Sequence, residues 1–346
     1  MLWGGRPRSE RMYSRREKTM KGKIALEEHF AIDETLNDSA GFLGDEVWPE
    51  LSGRLMDIHE KRLRLMDAHG IEIMILSLNA PAVQAIPDPV LADDIARRAN
   101  DFLAEQIQKQ PYRFQGFAAL AMQDPDLASR ELERCVKDLG FVGALVNGFS
   151  QIGESDTAVY YDLKQFWPFW SVVESLGVPF YLHPRNPLPS MAQIYEGHPW
   201  LLGPTWAFGQ ETAVHALRLM CSGLFDEYPA LTIVLGHMGE GLPYSMWRID
   251  HRNLWTGMPP RYPAKKKIAE YFQDHFYITT AGNFRTQTLI DAILEIGADR
   301  ILFSTDWPFE NIDHAADWFD VCSISEDDRR KIGRLNSARL FKLEMT

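Results

Sequence analysis

KIALEEH, residues 23–29, decides the reading of the fold. An apolar run leads straight into Glu27, Glu28 and His29, three side chains able to carry charge or hold a metal. The same plan recurs down the chain. Short apolar runs occupy 23–26, 72–78, 114–121, 141–147, 179–183, 231–237, 276–281 and 301–305. Their apolarity is continuous and not alternating, which marks strands covered on both faces of a parallel sheet. Between them stand amphipathic stretches with helical spacing, at 57–69, 91–108, 125–139, 161–176, 209–227, 265–274, 286–296 and 326–342. Asp124-Pro125 offers one of them a side-chain cap and a first-turn proline. Eight strands each followed by a helix is the count of a (β/α)8 TIM barrel, in the α/β class. An open doubly wound sheet is the other arrangement that this alternation admits. Long connections follow strand one (30–56) and strand five (184–207), carrying Phe42, Trp48, Tyr195, Trp200 and Trp206. Such loops serve either as an apolar lid on a pocket or as a subunit interface or surface cover.

Composition narrows the function. With 346 residues and 45% hydrophobic side chains the chain can bury a large core. Lys+Arg 36 against Asp+Glu 48 leaves a net charge of -12, which disfavours nucleic acid as a partner. No apolar stretch is long enough to span a bilayer, so no membrane partner is expected. Cys135, Cys221 and Cys322 fit neither a disulfide frame nor a CxxC metal site, and indicate a reducing, cytoplasmic setting. Residues 1–22 are basic and lack a secretory apolar region; they are expected to be a disordered extension, with a single domain over 23–346.

The chemistry lies at the strand ends. Strand one ends in Glu27-Glu28-His29, strand five in His183, strand six in His237 and strand eight in Asp306. A barrel gathers these at its C-terminal rim, where active sites of this fold lie. Glu27 and His29, two apart in an extended strand, leave one face together, whereas Glu28 is expected to face outward or make a supporting ion pair. Each residue alone reads as an ordinary structural one; the coincidence of metal-capable side chains at four of eight strand ends argues for a metal. Glu27, His29, His183 and Asp306 offer two nitrogens and two carboxylates, suited to Zn2+, Mn2+ or Fe2+. In Gly236-His237-Met238-Gly239-Glu240, a helix starting here would put Glu240 one turn from His237, orienting the imidazole and raising its pKa. Arg248 either faces a substrate anion or pairs with Asp250 or Glu240. No phosphate-binding glycine motif is present, so no organic cofactor is expected.

The motifs ALEEHF, YLHPR, GHMGEGLP and STDWPFE, in this order and spacing, resemble the metal-dependent nonoxidative decarboxylase branch of the amidohydrolase superfamily, from Met20 to the C-terminus. The resemblance implies one divalent metal, Mn2+ first and Zn2+ as the alternative, on Glu27, His29, His183 and Asp306. It implies Asp306 as proton donor as well as ligand, a supporting His237–Glu240 pair, and Phe42, Arg248 and His237 against the substrate. The implied reaction is decarboxylation of a small aromatic carboxylate, an ortho-hydroxybenzoate with the 2,6-dihydroxy isomer foremost, by a homotetramer. The 2,3-dihydroxy and 5-carboxyvanillate substrates, or lactone or amide hydrolysis by a mononuclear hydrolase, are the alternatives. Hydrolytic relatives often carry His-x-His on strand one and a lysine on strand four; here Glu27 and Asn147 stand there.

Overall fold

The computed structural model describes residues 19–42, 44–255 and 262–344, Phe42 by its backbone alone. Eight parallel strands curl into a nearly closed barrel: β1 Lys23–Phe30, β2 Ile71–Leu78, β3 Phe114–Ala118, β4 Gly143–Asn147, β7 Phe180–His183, β8 Ile233–Leu235, β9 Phe276–Thr279 and β10 Ile301–Leu302, hydrogen-bonded in that order. A hairpin not foreseen from the sequence, β5 Ser150–Ile152 with β6 Glu154–Val159, follows β4. Its residues 154–157 are exposed, so no continuous apolar run announces it.

Two apolar layers hold the barrel. Inside, each barrel strand contributes one side chain, Leu26, Ile75, Phe117, Leu145, Tyr181, Val234, Tyr277 and Leu302, and Phe341 from the last turn joins them. Outside, the larger core packs the sheet against the helices. Asp124 caps Pro125–Lys137 as its sequence foretold, accepting from the amides of Asp126 and Leu127 at 2.8 and 3.1 Å. The helix expected at 57–69 begins only at Lys61, because the Asp57 carboxylate takes the amides of Glu60 and Lys61 at 2.8 and 2.6 Å. The stretch 209–227 is interrupted between Ala207–Cys221 and Leu224–Glu227. The helix that follows β10 is Ile312–Val321, and 326–342 forms two short helices joined by a π-helical turn at Lys331–Leu335.

The extension expected over 1–22 falls mostly outside the described residues. Residues 1–18 lie outside the described residues, but the chain from Thr19 is described: the Met20 amide donates to Asp320 Oδ1 at 3.2 Å, and its carbonyl accepts from the buried Lys23 ammonium at 2.9 Å. The first long connection folds into a 3-10 helix, Leu36–Phe42, and a helix, Trp48–Met56, whose Leu51 and Leu55 pack with Ala31 and Phe309. The second runs as three 3-10 turns between Pro189 and Thr205.

Candidate metal centre

In β1, a strict two-residue alternation from the interior Leu26 would send His29 outward. The ladder to β2 jumps instead, Leu26 opposite Ile75 and Glu28 opposite Leu76, so Glu27 is an extra residue at φ 69. Such a bulge re-aims side chains. Glu27 and His29 therefore reach the same interior site, by a bulge and not by the regular alternation expected. Glu28 leaves the other face, as expected, and is fully buried there, accepting hydrogen bonds from the Thr305 amide and hydroxyl at 2.8 and 2.6 Å. Burial pushes its carboxyl up to about 8, against those bonds and the nearby Arg62 charge.

The structure brings the four ligand candidates and His237 together. His183 Nε2 lies 3.3 Å and His237 Nε2 3.4 Å from Glu27 Oε1; Asp306 Oδ1 lies 3.7 Å from His29 Nε2 and Asp306 Oδ2 3.5 Å from His237 Nε2. Within each of two trios, Glu27–His29–His183 and Glu27–His237–Asp306, the ligand atoms lie within 4.8 Å of one another.

The donor set fits a divalent ion. Glu27 Oε1 and His29 Nε2 are buried without a well-aligned hydrogen-bond partner among the described residues. The charge states suit binding, which requires carboxylate anions and neutral imidazoles. Burial opposes ionisation of Glu27, but His237, His183 and His29 outweigh it and hold the carboxyl below its ordinary range. Burial, with His183 beside it, pushes the His29 imidazole down to about 3.

Residues not picked out from sequence complete the centre. The buried Tyr181 phenol donates to Glu27 Oε2, and the Thr279 hydroxyl donates to the same oxygen at 3.2 Å. With His29 Nε2 open, its Nδ1–H donates to Ser77 Oγ at 3.2 Å. Tyr181 was findable, standing two residues before His183 on the same strand face; Ser77 and Thr279 depend on the register between strands. Close approach also demands glycine: a Cβ at Gly236 would lie 2.9 Å from both Glu27 oxygens, and one at Gly282 2.8 Å from His237 Cδ2.

His237 and Glu240 are joined as expected, Nδ1 donating to Oε1 at 2.7 Å, but no right-handed helix begins there. His237, Met238, Gly239, Glu240 and Gly241 have φ of 49, 59, 78, 55 and 74°, a single left-handed turn. Burial disfavours the charged imidazole; the Glu240, Glu27 and Asp306 carboxylates outweigh it and hold its pKa well above the ordinary value. The Asp306 carboxyl is raised, by burial first and then by Glu27, against the opposing His237.

A cavity of about 1020 Å³ opens beside His237 and Glu240, walled by Trp206, Phe208, Tyr244, Arg248, Gly282 and Asn283. Trp206 brings the second long connection to the pocket wall. Arg248 lies on helix Leu242–Trp255 and has no carboxylate partner among the described residues. Asp250 instead accepts from the Ile268 and Ala269 amides at 2.9 and 3.0 Å, and Glu240 takes His237. The Phe42 side chain lies outside the described residues. At the end of β4, Asn147 donates to the Asn79 carbonyl at 3.0 Å.

The amidohydrolase family model matches residues 46–343. The chain is 76% identical over 324 residues to a gamma-resorcylate decarboxylase of Polaromonas sp. (strain JS666), covering 94% of this chain and 99% of that protein. A crystal structure of 2,6-dihydroxybenzoate decarboxylase complexed with 2,6-dihydroxybenzoate superposes with a TM-score of 0.93 at 73% identity, covering 94% of this chain and 100% of that one. A dihydroxybenzoic acid decarboxylase from Polaromonas sp. JS666, with bound manganese and the inhibitor 2-nitroresorcinol, gives 0.93 at 75% identity, covering 94% and 98%.

Proposed function

The chain belongs to the amidohydrolase family, and we propose that it is a metal-dependent carboxy-lyase that converts 2,6-dihydroxybenzoate to resorcinol and CO2. The observation that carries this reading is Asp306 standing between ligand candidates and the carboxylate-supported imidazole of His237, which itself lines a cavity whose Arg248 has no carboxylate partner among the described residues.

An aryl carboxylate loses CO2 slowly because the departing electron pair would remain as an aryl anion. Protonating the carbon that bears the carboxylate removes that obstacle, since C–C cleavage then restores aromaticity. Hydroxyls on both ortho positions push electrons toward that carbon, which favours the 2,6 isomer. A divalent cation, Mn2+ with Zn2+ as the alternative, held by Glu27, His29, His183 and Asp306, supplies charge that lowers the pKa of an ortho-phenol.

The side chains do the rest. Asp306, its pKa raised by burial, holds a proton at Oδ2 and delivers it to the ring carbon. His237 Nε2, 3.5 Å away, returns a proton to Asp306, while Glu240 keeps the imidazole charged and aimed. Arg248 holds a substrate oxyanion at the pocket wall. One proton is consumed per carboxylate released, and the reverse carboxylation runs at high bicarbonate. No organic cofactor takes part.

We further propose a cytoplasmic homotetramer. Its support is a ledge of exposed aromatics on helix Leu242–Trp255, where Trp247 and Trp255 stack on either side of His251 at 4.6 and 5.6 Å, together with three unpaired thiols.

The test is ultraviolet absorbance of the Mn2+-loaded protein with 2,6-dihydroxybenzoate, beside matched 2,3-dihydroxybenzoate and 5-carboxyvanillate reactions. Conversion of the 2,6 isomer to resorcinol is expected. Faster turnover of another isomer refutes the substrate, and no loss of any of them with metal bound refutes the reaction.

A further inference from the structure

We infer that Glu28 is the positioning residue of Asp306, clamping the two residues that flank it across the seam where no strand ladder closes the barrel. Ladders join each neighbouring pair from β1 round to β10, but among the described residues none joins β10 back to β1. β10 is only two residues long, so the chain from Phe303 to Asp306 has no strand partner on that side. Lower down the seam, Phe303 is held by the π-helical turn, its amide donating to the Ile332 carbonyl at 3.0 Å.

At the rim the work passes to one carboxyl group. Glu28 Oε1 accepts from the Thr305 amide at 2.8 Å, and Oε2 accepts from the Thr305 hydroxyl at 2.6 Å and the Trp307 amide at 3.4 Å. The His29 amide donates back to the Trp307 carbonyl at 2.6 Å. Asp306 is thus pinned on both sides while its own backbone sits at φ 63, a left-handed conformation that aspartate adopts less readily than glycine. Among the described residues the imidazoles beside its carboxylate, His237 and His29, stand 3.5 and 3.7 Å away. Glu28 is anchored in turn: the strand end beside it is tied by the buried Arg62, which donates to the His29 carbonyl at 2.6 Å. Residues that orient ligands in this way commonly cost 10- to 100-fold in metal affinity when lost.

The inference rests on the proposed role of Asp306, and its test separates the two. Mn2+ affinity is titrated for Glu28→Ala and Glu28→Gln, each in the wild-type and Asp306→Asn backgrounds, and amide exchange is followed at Thr305 and Trp307. Glu28→Ala should weaken Mn2+ by about 10- to 100-fold in the wild-type background and less than about threefold with Asp306→Asn. Exchange at the two amides should accelerate. Glu28→Gln, whose amide oxygen still accepts from the Thr305 amide, should restore most of the affinity. Equal weakening in both backgrounds, or unchanged exchange in Glu28→Ala, overturns the clamp. Should Glu28→Ala not fold, Thr305→Val, which removes the hydroxyl bond alone, takes its place in the double-mutant cycle, and equal weakening in both backgrounds again overturns the clamp. An Asp306→Asn enzyme with wild-type turnover would sink the role of Asp306 instead, and the exchange data would still judge the clamp.

Discussion

Replacing Glu240 by glutamine removes one charge and almost no volume. In the folded protein Glu240 Oε1 accepts from His237 Nδ1 at 2.7 Å, and its side chain is only 3% exposed, so water screens the pair little. A hydrogen bond to a charged partner contributes about 1.5–3 kcal/mol. At 1.36 kcal/mol per pKa unit, the variant's imidazolium should lose about one to two units of pKa. If protonated His237 feeds Asp306, activity falls as pH rises through the His237 pKa, and in the variant this alkaline limb moves to lower pH. Above the new limb kcat should drop about 10- to 150-fold; well below it the two enzymes should converge. Mn2+ content should not change, because neither Glu240 nor its partner His237 is among the four proposed ligands, Glu27, His29, His183 and Asp306. The assay is kcat against pH for loss of 2,6-dihydroxybenzoate, with bound manganese measured on the same samples. A variant whose alkaline limb overlays that of the wild type, with kcat within about threefold, would remove the pair from the proton supply.

Three further outcomes are expected. Asp306→Asn should lower kcat by at least about a thousandfold, since the proposed proton donor is gone and not merely weakened; ring protonation read by solvent deuterium incorporation checks it. Arg248→Ala should raise KM for 2,6-dihydroxybenzoate roughly tenfold and change kcat less, the pattern of a contact made before the chemistry; steady-state kinetics decides. His215, buried and pushed down to about 3 by its burial and then by Arg218, is neutral when folded but takes a proton when unfolded below its ordinary 6.5. The unfolded chain therefore binds more protons between pH 6.5 and 3, and stability falls through that window as pH drops, by up to about 1.4 kcal/mol per unit. Above 6.5 this contribution is flat, and His215→Gln should flatten the acid side in urea titrations at pH 7.5 and 5.5.

The barrel strands were legible because each is buried on both faces and so reads as an unbroken apolar run. Glu27, His29, His183, His237 and Asp306 were legible because the fold delivers strand ends to one rim. What stayed hidden depends on geometry that residue types leave open. The sequence EEH does not announce a bulge at Glu27; only the pairing of Leu26 with Ile75 requires it. GHMGEG fits a right-handed or a left-handed turn equally well, and the choice follows from His237 having to face Glu27 and Asp306. Helix Ile312–Val321 was passed over in favour of the longer periodic stretch behind it. Ser77, Thr279 and the partners of Glu28 lie on other parts of the barrel, 48 to 279 residues away, and no local pattern points to them.

The open seam also says when the enzyme can come into being. Glu28 and Thr305 are 277 residues apart, so the bonds that hold Asp306 join the first strand made to the last. At ribosomal rates of about 5–20 residues per second, the nascent chain carries Glu27 and His29 for about 14 to 55 seconds before Asp306 is synthesised. During that interval it holds an incomplete set of metal-capable side chains on an unfinished sheet whose leading edge lacks its partner. An ion captured then would meet fewer of the proposed ligands than the finished barrel brings together, so full coordination by the proposed set would have to await the barrel's completion.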